Sequence, residues 1–190
     1  MSLDTSPEAL GFPLIPGPEP RDPLSMWFAL EVQDLSFTKT APFVFENEAI
    51  LDASPERVFE IFATGENQRT WFKDFVANRW TTPPPYAVGS ERDVELKLLT
   101  VSERFLAWEP GKRLTFTMYR ITLPLVEAMV EDLVFEPLGA DRTRLIWRAH
   151  YRPRVFMRPF HPIMRAVFGQ LFQETTRGLA AYVAANKTRA

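Results

Sequence analysis

The sequence predicts an α+β domain in which an antiparallel sheet of about six to seven strands packs against helices on one side. Three patterns carry that reading. Residues 43–51, and several segments from 75 to 152, alternate apolar and polar side chains and are divided by Pro/Gly turns. Between them, residues 54–72 change to helical spacing. From Ile163 to Val183 apolar residues recur at steps of three and four, the period of one long helix. Strands joined in succession by short turns pair antiparallel, and the helices then cover one face.

The elements follow in order. Phe43 to Leu51 reads as the first strand. Ser54 is a suitable N-cap, Pro55 suits the first helical position and Glu56 complements the helix dipole. Val58, Phe59 and Phe62 then form a buried stripe, Gly65 stops the helix, and Glu66 to Phe72 allows a second short one. Phe75–Thr81, Arg92–Leu98, Val101–Trp108, Leu114–Tyr119, Met129–Phe135 and Leu145–Tyr151 are the further strands. Glu109-Pro110-Gly111-Lys112 and Glu136-Pro137-Leu138-Gly139 are turns between them. Pro159 and Pro162 mark the entry to the last helix, whose stripe includes Met164, Phe168, Phe172 and Leu179.

The 190 residues suit one domain with an arm. Pro7, Pro13, Pro16, Pro18, Pro20 and Pro23 exclude regular structure from the start of the chain, so residues 1–39 are read as a proline-rich N-terminal arm and 40–190 as the domain. Leu24, Trp27, Phe28 and Leu35 are expected on one face of a short helix docked on the body.

Composition removes several function classes. No cysteine means no disulfide, thiolate nucleophile or iron–sulfur ligand, and His150 and His161 are too few and too badly placed for a zinc triad. A net charge of −2 gives no global field for nucleic acid, and no apolar run approaches the length of a membrane span. No glycine-rich phosphate loop or nucleophile elbow is present, and neither metal nor cofactor is expected. Met1 to Glu8 shows neither a basic nor a continuous apolar stretch of the secretory kind, so a cytoplasmic location is expected.

Five local phrases in order carry a resemblance. They are Ala53-Ser54-Pro55-Glu56-Arg57-Val58-Phe59 with Trp71 after it, Val88-Gly89-Ser90, Trp108-Glu109-Pro110-Gly111-Lys112-Arg113-Leu114, Phe135-Glu136-Pro137-Leu138-Gly139, and Thr143-Arg144-Leu145. With the element order, they resemble the START and birch-pollen-allergen-like superfamily (SRPBCC), in its bacterial polyketide cyclase/dehydrase-like branch, over residues 41–187. The resemblance implies a helix-grip fold: a curved sheet wrapped around the long C-terminal helix, with a cavity between them. It also implies an apolar ligand such as a lipid or polyketide, held or carried in some members and chemically transformed in others. It transfers no catalytic set.

Strand parity predicts the wall of such a cavity. Arg92, Val94, Leu96 and Leu98 share one face, as do Leu114, Phe116 and Met118; then Met129, Glu131, Leu133 and Phe135; then Leu145, Trp147 and Tyr151. Met164, Phe168 and Phe172 face them from the helix. Glu131 is the most informative residue, because an inward carboxylate has a raised pKa unless it is paired. Pairing with Arg92 or Arg120, anchoring of a ligand hydroxyl, and proton transfer are its three readings. Arg92 is read as a rim ion pair or a contact for a ligand anion, and Tyr151 as a core hydroxyl or a ligand donor. Glu131 and Tyr151 are the candidate catalytic groups. His161 is expected at the surface or capping the helix, with a gate as the sharper alternative, and His150 and Tyr119 face out. Arg144, Arg148 and Arg152 form an outward basic stripe, expected to be balanced by Asp93, Glu95 and Asp132.

The sequence thus favours a binder of an apolar or aromatic small molecule. A cyclase/dehydrase-type enzyme is the alternative, and a protein-partner module using the arm and the basic stripe is a third reading. A homodimer is compatible with all of them.

Overall fold

The computed structural model describes residues 26–186. The expected proline-rich arm and Leu24 therefore lie largely outside the described residues. The described elements are β1 (Phe28–Ala29), α1 (Phe37–Thr40), β2 (Phe43–Leu51), α2 (Pro55–Thr64), α3 (Gln68–Trp71), β3 (Phe75–Trp80), β4 (Glu91–Leu96), β5 (Thr100–Glu109), β6 (Arg113–Ile121), β7 (Val126–Pro137), β8 (Thr143–Pro153), a 3₁₀ helix (Val155–Phe160) and α4 (His161–Ala185). The strands make one antiparallel sheet in the order β2-β8-β7-β6-β5-β4-β3, and β1 adds to β6. This is the helix-grip arrangement, with two short helices after β2 and the long helix last.

Local chemistry sets the helix ends. The Ser54 hydroxyl accepts the Arg57 N–H at 3.3 Å, Pro55 opens α2, and Gly65 closes it in the left-handed region at φ 70°. Apolar side chains then join the layers. Phe59 and Phe62 of α2 pack on Phe135 of β7, and Phe62 also meets Trp147 of β8 edge-on. Phe172 of α4 sits between Phe45 of β2 and Trp147.

Helix α4 passes so close to α3 at Gly178 that a side-chain carbon there would meet the Trp71 carbonyl oxygen. Gly178→Ala is therefore expected to destabilise by about 1–2 kcal/mol, since overpacking outweighs the better helix propensity of alanine. A thermal melt should fall by several degrees; a rise would show that α3 yields freely.

The segment before β2 differs from the sequence expectation. Residues 27–35 form no helix; they run extended and enter a split in the sheet. β6 and β7 pair only between Arg113–Thr117 and Val130–Val134, and beyond that they diverge. Into the gap, Leu30 donates its N–H to the Tyr119 carbonyl at 2.9 Å, and Glu31 donates to Glu127 at 2.9 Å. Two open strand edges thus satisfy this backbone, which local helical periodicity does not reveal. Leu30 is buried in the main core, while Phe37 is buried on the outer face against Ala128 and Val130.

The basic stripe is also partnered differently. Arg144 pairs with Glu48 at 2.8 Å, Arg148 with Glu46, and Arg152 with Glu31 and, at 2.9 Å, Glu127. Asp132 instead binds Arg113 and Thr115, both at 2.7 Å, and Asp93 binds Ser102 and Arg120. The partners of the stripe come from the neighbouring strands β2 and β7 and from the N-terminal segment, because β8 lies between β2 and β7 and not beside β4.

Candidate functional site

Between the sheet and the helices lies an apolar cavity of about 110 Å³. Of the residues that strand parity points inward, Arg92, Val94, Leu96, Phe116, Met118, Met129, Glu131, Leu133 and Trp147 are on its wall, with Phe168 and Phe172 from α4. Six others are not. Leu98 is 82% exposed, because β4 ends at Leu96 and the turn, closed by the Leu96 N–H to Leu99 carbonyl bond, presents Leu99 inward instead. Leu114, Phe135, Leu145 and Met164 are buried in the core away from the cavity, and Tyr151 is held elsewhere, between Phe43 and Phe45. The Tyr151 hydroxyl lies 2.8 Å from His161 Nε2, and burial pushes its pKa up to about 12. His161 is half-buried against Phe43, and its backbone N–H, donated to the Arg158 carbonyl, closes the 3₁₀ helix at the entry to α4.

Several wall residues escape simple parity. Tyr119 has no partner in the β5–β6 ladder and Glu127 has none in the β7–β8 ladder. Each is a bulge, and each switches the inward parity. Ile121 and Val126 therefore line the cavity although they are out of phase with Met118 and Met129. Phe62, Gln68, Phe72 and Thr175 join through the helices.

The polar part of the wall is a buried triad of charges. The Arg92 Nε donates to Glu103 at 2.7 Å and its Nη1 to the Phe62 carbonyl at 3.2 Å. Its guanidinium lies 5.0 Å from the Phe105 ring centre and 5.4 Å from that of Phe116. Both Arg92 and Glu103 are only 4% exposed, so this is a buried pair and not a rim contact. Glu103 was legible, since it shares parity with Val101 and Phe105. Glu131 has neither Arg92 nor Arg120 as its ion-pair partner: Arg92 is taken by Glu103, and Arg120 reaches Ser102 and Asp93. Among the described residues, the one hydrogen bond Glu131 makes is from the Trp147 indole N–H, at 2.8 Å.

Two buried carboxyls thus lie near one guanidinium, which pairs with Glu103 and not with Glu131. Burial, reinforced by the charge of Glu103, pushes Glu131 up to about 8; burial also raises Glu103, against the opposing pull of Arg92. At neutral pH Glu131 is mainly protonated. One oxygen accepts from Trp147, the other makes no hydrogen bond among the described residues, and the acid proton is free to be donated. No cluster of three or more metal-ligating side chains occurs among the described residues.

Residues 42–184 match the family described as polyketide cyclase/dehydrase and lipid transport. The chain belongs to this family. The polyketide cyclase/dehydrase and lipid-transport domain accounts for β2 through α4, while the segment that fills the sheet split precedes it. An uncharacterised protein of Mycobacterium tuberculosis is 30% identical over 149 residues, covering 78% of this chain and 89% of that protein. Among solved structures, the Zhui aromatase/cyclase from a Streptomyces species superposes with a TM-score of 0.65 at 14% identity, covering 76% of this chain and 94% of that one. A START superfamily protein from Mycobacterium smegmatis gives 0.64 at 12% identity, covering 75% and 97%. At such identities these likenesses show the fold. The family supports a ligand-binding or cyclase role.

Proposed function

We propose that the protein binds an uncharged, largely apolar small molecule whose carbonyl or hydroxyl oxygen meets the Glu131 carboxyl. The observation that carries this reading is a buried carboxyl in an apolar cavity with one oxygen unengaged. Apolar burial would supply most of the affinity, at roughly 25 cal/mol per Å², and the carboxyl would fix orientation. The volume sets a bound on the guest. A cavity of about 110 Å³ takes a single ring, whereas drug-sized sites run from roughly 300 Å³. A longer lipid or polyketide body therefore needs Phe168 and Leu171 of α4 to move aside, or it projects from the mouth.

Charge decides between ligand classes. With Arg92 already neutralised by Glu103, the wall has no cation left to pair with a carboxylate guest, whose burial in the apolar cavity is then uncompensated. The matched pair acetophenone and benzoate, single rings similar in shape and different in charge, tests this by tryptophan fluorescence and native mass spectrometry. At neutral pH the ketone should bind at least about tenfold tighter, the equivalent of one poorly satisfied buried charge contact. Failure of both to bind would remove the receptor reading, and equal binding would remove the charge argument.

Glu131 also supports the second reading, an enzyme of the cyclase/dehydrase kind. A carboxyl pushed up to about 8 is suited to exchange a proton with a bound carbonyl near neutral pH. Tyr151 drops out of this reading because its hydroxyl is off the cavity, against His161. With a linear poly-β-ketone as probe, Glu131→Gln should reduce turnover by roughly 10²-fold or more while leaving affinity nearly unchanged. Unaltered turnover would exclude Glu131 from the chemistry.

A further inference from the structure

One end of the sheet carries apolar side chains that no described residue covers. Val101 pairs with Ile121 and Val126 with Pro153, so the β4–β5 turn, the β6–β7 turn and the 3₁₀ helix after β8 all lie at this end. Leu98 and Leu123 are exposed at the two turns. Phe156 and Phe160 on the 3₁₀ helix, with Ile163 and Val167 one turn apart on α4, are each more than half exposed. Met164 and Phe172 of the same helix already supply its core contacts, so packing of α4 does not explain these four side chains.

Around the 3₁₀ helix and the start of α4 the charge has one sign, while beside Leu98 the Lys97 and Asp74 charges offset one another. No aspartate or glutamate occurs between Arg142 and Gln173. Arg158 and Arg165, both exposed, make no ion pair among the described residues, unlike the arginines of the β8 stripe. Protruding apolar tips with unpaired arginines around them have the composition of a surface that lies in the headgroup region of a bilayer.

We propose that this end of the molecule docks on anionic phospholipid membranes. The apolar groups stand on separate turns and on a helix, and not in one groove. A fluid bilayer accepts separated protrusions, whereas a folded partner must match each with a depression. The cavity wall reaches the same end through Leu99 and Leu125, so an apolar guest would pass between bilayer and cavity with little exposure to water. No helix of the described residues is long and apolar enough to cross a membrane, in keeping with a protein that lies on the surface. Docking rests on the exposed groups alone and stands whether or not the cavity reading holds.

Flotation of the full chain with vesicles tests it. Vesicles of phosphatidylcholine with about 30% phosphatidylglycerol should carry the protein at low salt, and pure phosphatidylcholine vesicles should carry at least tenfold less. Salt at about 0.5 M should release it, because the arginine contribution is screened. Arg158→Glu/Arg165→Glu and Ile163→Ser/Val167→Ser should each lower binding tenfold or more with unchanged melting curves. Leu98→Ser, at an exposed turn irrelevant to folding, should weaken it as well. No flotation with anionic vesicles, or full flotation of these variants, would overturn the proposal. So would a dimer in sedimentation that the same substitutions disperse, which would assign the face to a second copy of the chain.

Discussion

Arg92→Met should lower the unfolding free energy by about 3–5 kcal/mol, the range for removing one partner of a buried ion pair. The substitution keeps much of the volume between the Phe105 and Phe116 rings, so cavity formation contributes little of the loss. What remains is the Glu103 carboxylate, 4% exposed and near a second buried carboxyl. Its escape is to take up a proton. Without Arg92 the folded-state pKa of Glu103 rises further above the unfolded value, so the variant loses stability as pH rises and recovers much of it in acid. Chemical denaturation at several pH values measures this. The double variant Arg92→Met/Glu103→Leu removes both charges and should regain most of the stability, as apolar replacement of a buried pair often does. A single variant that loses less than about 1 kcal/mol would show the pair to be solvated.

Glu131 should give the molecule a second pH dependence, of known sign. Its carboxyl is pushed up to about 8 in the folded protein, while in an unfolded chain it titrates near the ordinary glutamate value of 4.5. Below the lower value both states are protonated and the group is neutral to stability. Between the two, the folded state holds the proton that the unfolded state has released, so stability falls as pH rises, by up to about 1.4 kcal/mol per pH unit. Glu131→Gln has no such proton. It should match the parent near pH 4 and exceed it in melting temperature near pH 8. Affinity for acetophenone should decline over the same upper range in the parent only, as the donor proton is lost. A parent and a variant with parallel melting profiles would show that Glu131 is solvated.

These two effects bear on what was readable in the chain. Glu131 could be placed inward because Met129, Leu133 and Phe135 share its parity on an unbroken part of β7. Glu103 carried the same signal between Val101 and Phe105. Its importance emerges only when β5 lies beside β4, so that Arg92 meets it at 2.7 Å. Ile121 and Val126 carried a misleading signal, since a bulge inserts one residue and inverts the parity that follows. Leu98 failed for a related reason: the strand ended two residues earlier than its alternation.

The order of elements from β2 onward, the ends of α2, the faces of the unbroken strand segments and the lack of thiols were determined by the sequence. These depend on local backbone preference and on the periods of two and 3.6, which act within a few residues. Tertiary structure alone decided that residues 27–35 fill a split between two strands, that Arg92 pairs with Glu103 and leaves Glu131 to Trp147, and that apolar turns gather at one end with unpaired arginines. Each of these depends on groups far apart in the chain meeting in a medium of low polarity, where proximity sets the energy and sequence distance carries no record of it.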